Sequence, residues 1–303
     1  MRTCHTPTDR PEPGCANTQH SLFSVWLVVV RQVEMNGTAK QLSTLTKRER
    51  CFMGLADKIC IITGGGDGIG KATALMMAGE GAKLVLVGRT ASKVEAVKKE
   101  IEDNGGTAEA FGMNVADVDA VQAMTKAVLD RHGRIDVLIN CAGHSSPHRK
   151  LLTTTPEEIH GVIDSNLVGT IFCTQAVIPS MVEAKTGTII NISSMAGVQP
   201  GLMGGMVYSA AKAAVINFTE FISGEFKNTG VRASVVIPGE VDTPILDNRP
   251  VPPSAEARAT MVTVEDAAEA ITLIARLDGR TNIPTLIIKP TYQRDSSKEV
   301  GTA

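Results

Sequence analysis

Residues 61–73 read IITGGGDGIGKAT, a glycine cluster set between an apolar run and a helix-like run. Such a turn suits phosphate. The first N–H groups of a helix have no partner inside it, the helix dipole favours an anion, and glycine lets the backbone approach without a Cβ clash. Two familiar phosphate loops are nearly present. Gly65-x-x-x-x-Gly70-Lys71 follows a triphosphate loop as far as the lysine, but Ala72 stands where a Ser or Thr hydroxyl would hold magnesium. The dinucleotide pattern G-x-G-x-x-G fails in register, ending on Ile69 when counted from Gly64 and on Lys71 when counted from Gly66. The residues around the loop have to decide between them.

Beyond the loop, apolar runs alternate with helical stretches. Runs at 59–63, 84–87, 108–113, 137–139, 188–192 and 233–237 read as buried strands, and 70–79, 92–103, 117–132, 156–181 and 208–227 read as helices. Continuous apolar strands joined by helical crossovers predict a parallel sheet covered on both faces, hence a single doubly wound α/β domain. Its predicted span is 54–292, with 293–303 as a flexible tail. Ligands are expected at the carboxyl ends of the strands, where the glycine loop lies. Residues 1–53 are set apart as an extension outside the fold. Their apolar run, LFSVWLVVV at 22–30, is too short to span a bilayer. A targeting segment is the alternative reading of this extension.

Bulk composition removes several classes. Over 303 residues the net charge is −2, which gives no electrostatic footprint for nucleic acid or an anionic membrane. Aromatics make up 3%, too few for a base-stacking surface. The six cysteines form no C-x-x-C, and H-E-x-x-H is absent, so no metal site is expected. Cys60, Cys141 and Cys173 lie in apolar runs and read as small buried hydrophobes, and a cytoplasmic setting is the default. Asn191-Ile192-Ser193 is a glycosylation sequon by pattern, but it sits in a strand-like run and reads as buried.

Two further features carry chemistry. A triphosphatase would need an acidic magnesium partner at a later strand end, where the chain has Gly88-Arg89, Asn140-Cys141 and Ser193-Ser194 instead. A dinucleotide site would read the adenosine ribose at the end of the second strand. There Arg89, without a carboxylate, suits the 2′-phosphate of NADP rather than the free hydroxyl of NAD. Asp67, a carboxylate inside the anion loop, counts against this. The second feature is YSAAK, 208–212. Tyr208 and Lys212, four apart on a helix, share one face, and a lysine cation near a phenol is expected to lower its pKa enough for acid–base work on a carbonyl or alcohol oxygen.

With TGGGDGIG, NCAG (140–143), NISS (191–194) and YSAAK in this order, the chain resembles the short-chain dehydrogenase/reductase family over about residues 55–290. The family pattern T-G-x-x-x-G-x-G fits Thr63, Gly64, Gly68 and Gly70. The resemblance implies a Rossmann-like three-layer α/β/α fold and hydride exchange between NADP(H) and a small alcohol or ketone. It implies Tyr208 as the acid/base, Lys212 as its partner and the nicotinamide ribose ligand, Ser194 as the holder of the substrate oxygen, and Asn166 as part of a water-borne proton relay. For the cofactor it implies Gly64, Asp67, Gly68, Ile69 and Gly70 in the loop, Arg89 at the ribose, and Asn114 with Val115 at the adenine. It further implies Asn140, Ala142 and Gly143 beside the central strand, and Pro238, Gly239, Val241 and Thr243 against the nicotinamide. Asn114 departs from the family's usual Asp. A homodimer or homotetramer, with no metal and no membrane or nucleic-acid partner, is the corresponding expectation. A non-catalytic NADP-binding regulator on the same fold is the alternative, opposed by the intact set of four catalytic positions.

The substrate is less legible. MAGVQPGLMGGMV, 195–207, offers flexible thioethers and no charge, which suits an apolar or varied substrate. The following loop, 245–259, reads as a lid carrying Arg249, Glu256 and Arg258, with Arg249 solvated rather than clamping a carboxylate. TNIPTLIIKPTYQR, 281–294, departs from the VDGG ending of the family's acyl-carrier-protein ketoreductases and is similar to members acting on 3-hydroxy acids or serine.

Overall fold

The computed structural model describes residues 54–295 and Glu299. Seven parallel strands form one sheet in the order β3-β2-β1-β4-β5-β6-β7. In chain order the elements are β1 (Ile59–Thr63), α1 (Gly68–Gly79), β2 (Lys83–Gly88), α2 (Ala91–Asp103), β3 (Thr107–Gly112), α3 (Val118–His132) and β4 (Val137–Asn140). Then follow α4 (Pro156–Ile163), a π-helical turn (Asp164–Val168), α5 (Gly169–Glu183), β5 (Gly187–Ile192), α6 (Met206–Glu225), β6 (Val231–Pro238), α7 (Ala255–Arg258), α8 (Val264–Arg276) and β7 (Thr285–Ile288).

The strands are apolar throughout because both faces are covered. Along β1, Cys60 and Ile62 face α1, α2 and α8, where they pack with Met77, Val97 and Ile274. Ile59 and Ile61 face α3, α5 and α6, where they pack with Met124, Val177 and Ile222. The alternation is the pleat of a strand with no solvent side. Strand order reverses between β1 and β4, which pair in the register Thr63↔Asn140. That register sets the glycine loop beside the Asn140–Gly143 turn, at the switch point where doubly wound sheets bind ligands.

The doubly wound domain has the predicted architecture, with three local differences, one being β7 as a seventh strand paired with β6. The single helix expected at 156–181 is broken by the π turn around Asn166. The Asn166 amide donates to the Val162 carbonyl at 2.9 Å, competing with the backbone ladder within its own helix. Helix α8, to which the sequence reading assigns no element, is opened by Thr263 and Asp266, which cap one another's backbone N–H groups. The extension 1–53 and, in the tail, residues 296–298 and 300–303 lie outside the described residues.

Candidate active site

The glycine loop is built to hold the chain close to itself. Gly64 has φ +69°, and a Cβ on Gly70 would lie 2.2 Å from the Gly64 carbonyl oxygen. No side chain fits at Gly70 without moving backbone. The Thr63 hydroxyl accepts from the Cys141 and Ala142 amides, both at 3.1 Å, pinning the β4 turn against the loop.

Asp67 caps α1, accepting from the Gly68 amide at 2.8 Å, and pairs with Lys93 of α2 at 2.5 Å. Partial burial opposes its charge, but the Lys93 bond, the Gly68 amide and the nearby Lys71 outweigh this and hold its carboxyl below the usual range. The charge that looked wrong for an anion loop is therefore neutralised from the neighbouring helix, and capping explains why α1 starts at Gly68 rather than at Gly70.

The ends of the central strands carry a polar chain through the core. The Asn140 amide donates to Asn191 at 2.9 Å and to Thr174 at 3.1 Å, and the Asn191 amide donates to Thr219 at 2.9 Å. Asn191 is fully buried, so its sequon faces the interior. Beyond this chain β5 delivers Ser194, and α6 delivers Tyr208 and Lys212. Gly197 packs so closely on α6 that an added Cβ would meet the Lys212 backbone carbon at 2.6 Å.

Ser194 and Tyr208 border the same cleft, with the Ser194 hydroxyl near enough to the phenol to favour its ionised form; that hydroxyl also accepts from the Ala196 amide at 3.2 Å. Lys212 is 5% exposed and donates to the Ile192 carbonyl at 2.8 Å, with its ammonium 5.6 Å from the centre of the Tyr208 ring. Its burial lowers its pKa to about 8. The expectation that Lys212 lowers the phenol's pKa is not met. Burial of Tyr208 pushes it up to about 12, the nearby Ser194 hydroxyl acts against this, and the favourable cations are Arg149 and Arg249. Lys212 lies over the ring rather than at the hydroxyl and spends its bond on Ile192.

Asn166 is 1% exposed, and its amide donates to the His144 carbonyl at 2.9 Å. Its Oδ1 is buried without a partner among the described residues. A Cβ on Gly143 would meet that oxygen at 2.3 Å and the Lys212 ammonium at 3.5 Å. Oxygen and ammonium thus face the same small space, which only a glycine leaves open.

These groups line a cleft of about 750 Å³ that runs from the glycine loop to the 244–249 turn. Gly64, Asp67, Gly68, Ile69, Gly143, Pro238, Gly239, Val241 and Thr243 border it together with Asn166, Ser194, Tyr208 and Lys212. Gly70, Asn140 and Ala142 stand behind it as support. Val115 is buried against Gly169, and Asn114 bonds its own loop, accepting from the Ala116 amide at 3.2 Å. Arg89 is exposed at the end of β2, and its charge helps keep His144 neutral, after burial. The fit to a dinucleotide rests on the crowded glycine turn and on the unpartnered Asn166 oxygen beside a cation, a pair that a hydroxyl-bearing group would complete.

Sequence reading missed Arg149. It lies in the irregular loop after β4, is 8% exposed and borders the cleft. No periodicity or motif marks it, because its place depends on a contact with the start of α6. Arg249 is not the solvated residue expected. Its side chain is 9% exposed and pairs with Glu240 at 2.9 Å and Glu299 at 3.1 Å. Arg294, in the segment set apart as a tail, also bonds Glu240, at 2.7 Å.

The short chain dehydrogenase family model matches residues 58–251. A 3-oxoacyl-[acyl-carrier-protein] reductase of Synechocystis sp. is 43% identical over 195 residues, which is 64% of this chain and 78% of that protein. Among solved structures, a metagenomic short-chain oxidoreductase in complex with NADP is 32% identical with a TM-score of 0.69, covering 79% of this chain and 100% of the other. The closed form of serine dehydrogenase complexed with NADP+ is 30% identical with a TM-score of 0.72, covering 78% and 97%.

Proposed function

The chain belongs to the short-chain dehydrogenase family, and from that premise we propose that it reduces a small ketone to an alcohol with NADPH, using Tyr208 as the proton donor. The observation that carries this reading is the placement of Ser194 and Tyr208 in the same cleft as the glycine turn, with the buried Lys212 beside the phenol ring.

Reduced nicotinamide, when bound, supplies the hydride. The protein's part is to hold the substrate oxygen, give it a proton and keep charge where it is needed. Ser194 donates to the carbonyl oxygen and fixes it against Tyr208. With a pKa of about 12 the phenol is protonated at neutral pH, the form that donates to an oxygen gaining negative charge. Oxidation, the reverse step, would start from the phenolate. Lys212, charged below about pH 8, supplies a positive field in a poorly solvated site. The open Asn166 oxygen offers the next acceptor for a proton path leading from Lys212 to solvent through water.

For the cofactor, Gly64, Gly68, Ile69 and Gly70 would hold the pyrophosphate, and Asn114 and Val115 the adenine. Pro238, Gly239, Val241 and Thr243 would hold the nicotinamide. The choice of NADP(H) rests on Arg89, which has no carboxylate partner among the described residues and stands at the end of β2. The neutralised Asp67 removes the main objection, and two of the similar structures contain NADP. A cytoplasmic homodimer or homotetramer is the matching expectation. Titration of the intrinsic fluorescence of NADPH and NADH tests the cofactor reading. NADPH should bind at least about tenfold more tightly, and Arg89→Ala should remove most of that difference. Equal affinity for the two in the wild-type protein would overturn it.

A further inference from the structure

Arg149 is a cation that the proposed chemistry does not use. Its backbone carbonyl accepts from the Met206 amide at 3.1 Å, which docks the 144–150 loop on the first turn of α6, two residues before Tyr208. Its guanidinium donates to the carbonyls of Ser146 at 3.3 Å, Met203 and Asn248 at 3.5 Å, and to the Ser145 hydroxyl at 3.3 Å. These are four neutral acceptors, three of them at long distance. They orient the group and leave its charge intact, with one Nη1 hydrogen lacking a partner among the described residues.

Buried charges are normally paired. Carboxylates of the neighbouring loops have other partners among the described residues. Glu240 is held by Arg249 and Arg294, Asp242 and Asp247 by Arg258, and Glu158 by His148. No carboxylate lies within ion-pair reach of Arg149 among the described residues. A staple between loop carbonyls could be made with neutral donors, without the cost of desolvating a cation. Burial and the neighbouring Arg249 both press on its charge, bringing its pKa down to about 10. Even so, it remains charged at neutral pH. It borders the same cleft as Ser194 and Tyr208, close enough for its field to act on the phenol.

We infer that Arg149 binds a carboxylate on the substrate, so that the cleft takes a short oxo acid and returns the hydroxy acid. This rests on the reductase reading above and narrows its substrate class. The ketone carbon accepts the hydride of NADPH, the C=O π pair moves to oxygen and takes the Tyr208 proton, and NADP+ and the hydroxy acid leave. The carboxylate itself is unchanged and serves as a handle that orients the ketone, with the rigid guanidinium fork as its receptor.

The test compares 3-oxobutanoate with its methyl ester and with butanone, following NADPH loss in wild-type protein, Arg149→Gln and Arg149→Lys. Calorimetric binding of 3-hydroxybutanoate in the presence of NADP+ is measured alongside. The acid should exceed both neutral ketones in kcat/KM by about 30-fold in the wild type, and Arg149→Gln should erase that preference, the acid losing far more than butanone. Arg149→Lys should keep part of it. The ratio of acid to neutral substrate is insensitive to partial unfolding, which would lower all three together. Equal wild-type efficiency on acid, ester and ketone would overturn the inference and leave the reductase reading standing. So would equal losses on all three in Arg149→Gln. Acid binding that vanishes in Arg149→Gln, with no carbonyl reduced by any protein, would support the carboxylate site and overturn the reductase reading. Absence of both acid binding and acid preference would overturn the site.

Discussion

Tyr208 and Lys212 stand one helical turn apart, yet burial moves them in opposite directions, the phenol up to about 12 and the ammonium down to about 8. Desolvation disfavours whichever form is charged. The consequence for Lys212 is a stability cost with a defined pH window. Below about pH 8 it is charged in both folded and unfolded chains, and the cost of burying the charge is fully present. Between about 8 and its ordinary value of 10.5 the unfolded chain keeps the proton that the folded one has released, so stability rises with pH. Lys212→Met should therefore stabilise the protein at pH 7 by on the order of 2 kcal/mol, or about 5 °C in Tm, with the lost Ile192 bond already offsetting part of the gain. The gain should fade by about pH 10.5. Thermal unfolding of both proteins across this range checks it, and a gain that does not change with pH would count against the buried-cation account. At this scale residue type was legible and environment was not. The spacing of Tyr208 and Lys212 marked them as partners, but the direction of the tyrosine's shift is set by its burial, which the spacing does not show. Asp67 looked repulsive until Lys93, from a different helix, was placed against it.

At the level of elements, the glycine turn and the π turn make the site. Gly70 can only be glycine, because its neighbour is the backbone of Gly64 and no rotamer change can relieve the contact. Gly70→Ala should cost about 3 kcal/mol and weaken NADPH binding at least about tenfold. Gly79→Ala, whose Cβ would meet nothing within 4 Å, should raise stability by about 0.5 kcal/mol and leave binding unchanged. Urea unfolding and NADPH titration of both variants check the contrast, and equal effects would contradict it. Most element types were legible from apolar runs and helical spacing, with boundaries off by one to a few residues. The break at Asn166 was not, because it comes from an asparagine amide competing for Val162 and reaching across to His144, a partner 22 positions away.

For the whole molecule, the parallel sheet and its reversal between β1 and β4 gather residues from Gly64 to Thr243 into one cleft. Buried strands and crossover helices gave the architecture from sequence, since a strand apolar on both faces has few other places to be. The loop that carries Arg149 stayed illegible because irregular chain is placed by tertiary contact alone. The reductase reading depends on that gathering: NADPH at the glycine turn must meet a ketone whose oxygen lies against Tyr208. Its most direct test is NADPH consumption with a panel of short ketones and oxo acids, comparing wild-type protein with Tyr208→Phe, which removes one hydroxyl. The wild type should consume NADPH only when a carbonyl is present, and Tyr208→Phe should lower kcat by about 10³-fold with NADPH affinity unchanged. Turnover in Tyr208→Phe within threefold of wild type would contradict the account.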